Sequence, residues 1–262
     1  NTGAVAPGYK ADLLVLDDLD KVIVRDVYKN GEKVVSDGKT LCFDMPKIND
    51  ALEKKVRSSF NLPMLSSSDF AVDYNGKRKC HVISLVEGQL LTDDLVSDID
   101  FDCNNGIDIE HDILKIAVIE RHHNTGHIGN AFIKGIGLKE GAIASSVAHD
   151  SHNLIVIGTN TDDMAFAANR IRELGGGIVS VKNGKVVAEM PLPIGGLMSC
   201  ETAERAAEEK VRESVYSLGV PKGFEPFMIM SFLSLPVIPH LKLTTKGLVN
   251  VDTQRKVPLA AE

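Results

Sequence analysis

Two runs of this sequence, LKIAVIE at 114–120 and NLIVIGT at 153–159, are apolar at almost every interior position. Short runs of that kind, rich in Val and Ile, are strands that lie inside a sheet. Two of them require a layered fold in which other elements cover the sheet. KCHVISLVEG at 79–88 is a third strand-like stretch, and helical patterns alternate with these runs. Asp162 and Asp163 suit the positive end of a helix with Thr161 as its cap. Met164, Ala167, Ala168, Ile171 and Leu174 then share one face, and Gly175 ends it. A second helix is expected after a Ser199 cap, with the stripe Ala207, Val211, Val215 and Leu218, closed by Gly219 and Pro221. A β-rich segment should follow to residue 251, with a frayed tail.

The first forty residues read differently. ADLLVLD is a short strand, and VIVRDVYKNGEKVVSDG is a hairpin whose Asn30-Gly31 pair suits a type I′ turn. Two or three strands cannot bury a useful core alone. A connector is expected over 41–68, containing a helix in NDALEKKVRSSF with Asn49 as cap and a loop in NLPMLSSSD. GIVSVKNGKVVAEMP is another Asn-Gly hairpin, at Asn183-Gly184. The expected class is α+β: a β-rich unit over 1–40, a connector over 41–68, and a layered α/β domain with mixed sheets over 69–262.

Composition narrows the function. The 262 residues carry a formal net charge of −7, which does not suggest a nucleic-acid surface. Cys42, Cys80, Cys103 and Cys200 are scattered, with no C-x-x-C pair, as expected for free thiols in a cytoplasmic protein. The longest apolar stretch, FMIMSFLSLPVIPHL, is short and broken by Pro236, Pro239 and His240, so no membrane partner is expected. No signal-peptide pattern occurs, and the sequence opens at Asn1 in mid-pattern, which reads as a fragment of a longer chain.

Polar chemistry concentrates at two strand ends. ERHHNTGH at 120–127 offers Arg121, His122, His123 and Asn124 as candidate substrate-binding side chains. HDSH at 149–152 places two imidazoles three residues apart, with Asp150 able to orient either ring. Asp150 and His152 are the candidate catalytic residues, and His149 and Ser151 candidate binding residues. Established zinc or di-metal spacing is incomplete here, so no metal ligand is assigned. Gly175 to Gly177 follow a helix, so they read as its terminator and not as a phosphate loop. PLPIGGLMS reads as a proline-kinked connector. No G-x-S-x-G, H-E-x-x-H, Walker or dinucleotide fingerprint is present.

GAVAPGYKADLLVLDDL with VYKNGEKV resembles the edge of the small β domain of the amidohydrolase superfamily. VIERHHNTGHIGNAFIKGIGLKEGAIASSVAHDSHNLIVIGTN, GGGIVSVKNGKVVAEMPLPIGGLMS and PFMIMSFLSLPVIPHLKLTTKGLVNV closely resemble the C-terminal domain of the bacterial adenine deaminases. The resemblance implies part of a small β-sandwich over 1–40 and an adenine-deaminase-like domain over 69–262. It implies a purine-salvage hydrolase that converts adenine to hypoxanthine and ammonia. The barrel active site, with divalent manganese or iron, would be encoded upstream and would be the partner of this chain. None of the metal would be held by this chain, which alone would be inactive; a homo-oligomer is expected. On that reading 145–153 is a lid or cleft wall over the barrel. A second reading is a non-catalytic stabilising or oligomerisation domain, and a third is the appended domain of an amidohydrolase acting on another cyclic amidine or amide. Convergence of the two histidine segments on one concave surface would separate the first from the second.

Overall fold

The computed structural model describes residues 1–41, 49–199 and 204–261. The chain divides into two compact units, Asn1–Asn49 and Asp50–Glu262. The first holds one antiparallel sheet in the order β1 (Leu13–Asp18), β2 (Ile23–Lys29), β3 (Glu32–Ser36), β4 (Lys39–Thr40). Asn30 and Gly31 join β2 to β3 with φ of 49° and 86°, the two positive values that a type I′ turn demands.

The second unit opens with α1 (Asp50–Arg57), which begins just after Asn49. Its strands follow in chain order: β5 (Lys77–Leu85), β6 (Thr92–Asp100), β7 (Ile113–Ile119), β8 (Ile128–Lys134), β9 (Ala142–Ser145) and β10 (Leu154–Gly158). After α2 (Thr161–Leu174) come β11 (Gly177–Lys182) and β12 (Lys185–Pro191). These form an eight-stranded sheet in the order β12-β11-β9-β10-β7-β8-β5-β6. It is mixed: β5 and β8 run parallel, and the other neighbours are antiparallel. Every residue of β7 and of β10 is buried. The two apolar runs therefore occupy the middle of the sheet, with neighbours on both edges and layers on both faces.

One layer comes from α2 and the segment before β5. Ala117, Ile119, Leu154 and Val156 face Met164, Ala167, Ala168 and Ile171, together with Leu62, Leu65 and Phe70. Residues 60–70 thus contribute core rather than only linking units, and residues 42–48 of the expected connector lie outside the described residues. The opposite face packs Ile116, Val118, Ile155 and Ile157 against α3 (Glu204–Ser217) and α4 (Pro226–Phe232) through Val215, Leu218 and Met230. The same face is covered by the small sheet of β13 (Leu241–Thr244), β14 (Gly247–Asn250) and β15 (Arg255–Val257).

Three local expectations need correction, and a fourth falls at the edge of the described residues. The cap of α2 is Asn160, whose side-chain oxygen accepts the Asp163 N–H at 2.8 Å, and Thr161 is the first helical residue. The stretch 226–232 is helical, since Pro226 stands in the first turn where its missing N–H costs nothing. The tail does not fray: the Leu259 carbonyl accepts the His81 N–H, and the Ala261 N–H reaches the Lys79 carbonyl, both within 2.9 Å. The expected Ser199 cap of α3 depends on residues 200–203, which lie outside the described residues. Gly175 does end α2, in the left-handed region at φ 72°.

Candidate functional site

In the antiparallel pairing of β7 with β10, Leu154 stands opposite Ile119. The residues after Ile119 and those before Leu154 therefore leave the sheet at the same edge. Both polar segments of the sequence lie there. The first is closed by the Glu120 N–H donating to the His127 carbonyl at 3.0 Å. The second is a turn closed by the His152 N–H on the Ala148 carbonyl at 2.6 Å, with His152 at φ 47°.

Glu120 organises its loop. Its carboxylate accepts the backbone N–H groups of His122 at 2.5 Å, His123 at 2.9 Å and Thr125 at 3.1 Å, and the Thr125 hydroxyl at 3.0 Å. Burial alone would raise the pKa of this carboxyl, but the N–H groups of Thr125, His122 and His123 outweigh it and hold the value down at about 2.

The loops are joined by two hydrogen bonds. Arg121 Nε donates to the His152 carbonyl at 2.6 Å, and His122 Nε2 donates to the Ser151 carbonyl at 2.7 Å. A carbonyl only accepts, so the second bond requires the proton on His122 Nε2. Arg121 was expected to bind substrate. Its side chain is instead among the largest fully buried ones, with the residue 2% exposed and the guanidinium stacked 5.0 Å from the Phe60 ring centre. A planar cation with that apolar partner and a carbonyl acceptor suits the interior. Arg121 thus positions the second loop and does not line an open surface.

The remaining candidates divide by whether they line a cleft. His122, His123 and Asn124 line a cleft of about 560 Å³ with Phe60, Asn61, Leu62 and Arg172. His149, Asp150 and Ser151 do not line it. The Asp150 side chain is 90% exposed, and its Oδ1 stands 3.9 Å from His149 Nδ1. The His149 ring lies 4.7 Å from the Phe232 ring of α4 and 6.0 Å from the His152 ring, measured between centres. The His149 N–H is held by the Ser231 carbonyl at 2.7 Å. His152 Nδ1 is buried without a protein partner. Burial, then the positive charges of Arg121 and His149, lower the His152 pKa against a smaller upward pull from Asp150. The neutral imidazole is therefore the dominant form at neutral pH. The two histidine segments meet, but the cleft takes only the first of them, so the convergence on one concave surface expected of the lid reading is not seen in this cleft.

Ser145 and Ser146, at the end of β9, are buried and committed to the fold. The Ser146 hydroxyl donates to the Gly196 carbonyl at 2.6 Å and accepts the Gly177 N–H at 2.8 Å. Among the described residues, no three His, Cys, Asp or Glu side chains gather closely enough to hold a metal ion. No described helix is long and apolar enough to cross a membrane. The site residues that sequence reasoning missed are Glu120, Asn61, Arg172 and Phe232. Only Glu120 carried a local signal, as an acid at a strand end before a run of free N–H groups. The others arrive from segments about fifty residues or more away from the loops they stand beside.

A sequence profile of the adenine deaminase C-terminal domain matches residues 89–255. The chain is 42% identical over 263 residues to adenine deaminase 2 of Carboxydothermus hydrogenoformans, covering 98% of this chain and 45% of that protein. It is 42% identical over 259 residues to an adenine deaminase of Petrotoga mobilis, covering 98% and 45%. Against an adenine deaminase of Brucella abortus the identity is 44% over 254 residues, covering 95% and 42%. The chain thus spans a little under half the length of these relatives.

Proposed function

The chain belongs to the adenine deaminase C-terminal domain family, and from that membership we propose that it forms part of a cytoplasmic hydrolase that converts adenine to hypoxanthine and ammonia. In that reaction water adds at C6 of the purine, N1 gains a proton, and the departing amine takes one as well. The described residues bring together no donor set for the divalent manganese or iron that the resemblance implies. In this proposal the chain walls the purine site and holds or relays protons there.

The observation that supports this reading is the clamped turn at 148–152. Arg121 and His122 grip its carbonyls at 2.6 and 2.7 Å, so the backbone is fixed while the Asp150 carboxylate stays exposed. Asp150 supplies an acceptor for an N–H edge of the purine. His152, kept neutral, offers an imidazole nitrogen that can take a proton and return it. His149, close to the Phe232 ring, presents a flat edge against which a planar base can stack. Ser151 gives its carbonyl to His122 and is the least involved chemically.

The test is paired, on the enzyme that contains this chain. Asp150→Ala and His152→Ala should each lower kcat/KM roughly a hundredfold, the scale of a lost positioning or proton-transfer group. Melting temperatures should stay close to wild type. Near-normal kcat/KM in both variants, or losses that only track unfolding, would exclude the lid role.

A further inference from the structure

The cleft beside the 122–124 loop takes none of the side chains at 149–152. The chain has 36 acidic residues and a net charge of −7, yet among the described residues no carboxylate lines this cleft. Its side-chain polar groups are those of Arg172, His122, His123, Asn124 and Asn61. Neighbouring acids are already engaged. Glu120 is turned onto the N–H groups of its own loop, Glu173 pairs with Arg170 at 2.8 Å, and Glu53 pairs with Arg57 at 2.9 Å. Arg172 donates Nε to the Leu62 carbonyl at 2.8 Å and forms no ion pair among the described residues. That single bond anchors the guanidinium and leaves its two terminal nitrogens for another acceptor.

The walls are held in advance of any ligand. Asn61 donates its amide nitrogen to the His122 carbonyl at 2.8 Å, and its backbone N–H to the Arg121 carbonyl at 2.7 Å. Asn124 sits at φ 55° on a loop already fixed by the Glu120 carboxylate. The negative end of α2, which would oppose an anion, is covered: the Gly175 and Gly176 N–H groups take the Arg172 and Ile171 carbonyls at 3.2 and 3.0 Å. The cleft, at about 560 Å³, falls in the range of small-molecule sites.

We propose that the cleft between residues 60–62, the 122–124 loop and the last turn of α2 is an anion site that takes a phosphorylated small molecule, with Arg172, His123 and Asn124 as its donors. Arg172 offers a planar fork, and the histidine and asparagine donors approach from a second element, so a tetrahedral phosphoryl group meets them better than a flat carboxylate. Adenine is uncharged at neutral pH and Asp150 is not among the residues that line the cleft, so this site is separate from the purine chemistry proposed for 148–152.

The experiment is titration of this chain with inorganic phosphate at low ionic strength, followed by amide chemical shifts, with acetate as the carboxylate arm. Phosphate should bind saturably in the millimolar range, shift the signals of residues 122–124 and 172, and outcompete acetate. Arg172→Gln should weaken it about tenfold, the scale of one charge-assisted hydrogen bond. Asn124→Asp places a carboxylate in the cleft at a backbone position that Asp tolerates, and should abolish binding with the fold intact. Lys185→Gln, an exposed site beside the Asn183-Gly184 turn at the other end of α2 from Arg172, is the control for general ionic strength effects and should change nothing. Binding that survives Asn124→Asp, or shifts spread evenly over surface cations, would overturn the proposal. Acetate binding as tightly as phosphate would overturn the phosphoryl assignment. Because no adenine is present, the outcome is independent of whether the deaminase reading holds.

Discussion

Replacing Glu120 by Gln tests whether one buried carboxylate holds the first loop. The side chain accepts four hydrogen bonds, three from backbone N–H groups that have no other partner in the loop. Its pKa falls from an ordinary 4.5 to about 2 on folding, and the residue is 9% exposed. Linkage then assigns the ionised form about 3 kcal/mol of stability. The direction follows from the depressed value. The contribution is full above pH 4.5, and it is lost as the pH falls through the folded pKa near 2. Glutamine keeps one acceptor oxygen and loses the charge, so the variant should be about 2–3 kcal/mol less stable at pH 7. The gap should narrow steadily below pH 4.5 and approach zero near pH 2. Urea unfolding of both proteins at pH 7, 4 and 3 measures this, because the other carboxylates cancel in the difference. A gap that stays constant from pH 7 to pH 3 would mean that the carboxylate charge does not hold the loop.

Two further outcomes follow from buried geometry. Lys115 is fully buried on β7, donates to the Asn105 carbonyl at 3.3 Å, and burial pushes its pKa from 10.5 down to about 8. Its charge therefore opposes folding below pH 8, and stability should climb as the pH rises from about 8 toward 10.5. Lys115→Met should match or exceed wild-type stability at pH 7 and lose that advantage by pH 10; an advantage independent of pH in denaturant titrations would refute this. Gly196 packs on the guanidinium of Arg121: an added Cβ would stand 2.8 Å from Nη1 and 3.0 Å from Cζ, at φ 74°. Gly196→Ala should cost about 1–3 kcal/mol and shift the amide signals around His152, and an unchanged melting temperature would contradict it.

What could be read from residue order, and what could not, divides along local and distant contacts. β7, β10 and α2 were legible because continuous apolar runs and a 3.6-residue stripe are properties of neighbours in sequence. The Asn-Gly turns were legible because they require positive φ. The helix at 226–232 was not, since PFMIMSF is apolar at consecutive positions and its periodicity does not distinguish helix from strand. The tail at 259–261 was not, because its order comes from backbone hydrogen bonds to β5 that leave no mark on side-chain pattern. The pairing of two apolar runs was enough to expect both polar segments at one sheet edge, but the exposure of Arg121 was misjudged. A charged side chain in a polar loop reads as exposed. Phe60, sixty-one positions earlier, and the His152 carbonyl help to make its burial favourable.

The way the loops are joined also bears on how the site can vary. Arg121 and His122 both bond to main-chain carbonyls, those of His152 and Ser151. The His149 N–H likewise goes to a carbonyl, that of Ser231. Neither clamp uses the side chains at 150 or 152. A substitution there removes a carboxylate or an imidazole and leaves the clamps in place, whereas a substitution at 121 moves the whole turn. Loss of function at Asp150 or His152 would therefore report chemistry, and loss at Arg121 would report geometry. For the same reason, side chains at 150–152 can change without loosening the turn. The clamped backbone is a platform on which the polar groups facing a ligand are exchangeable.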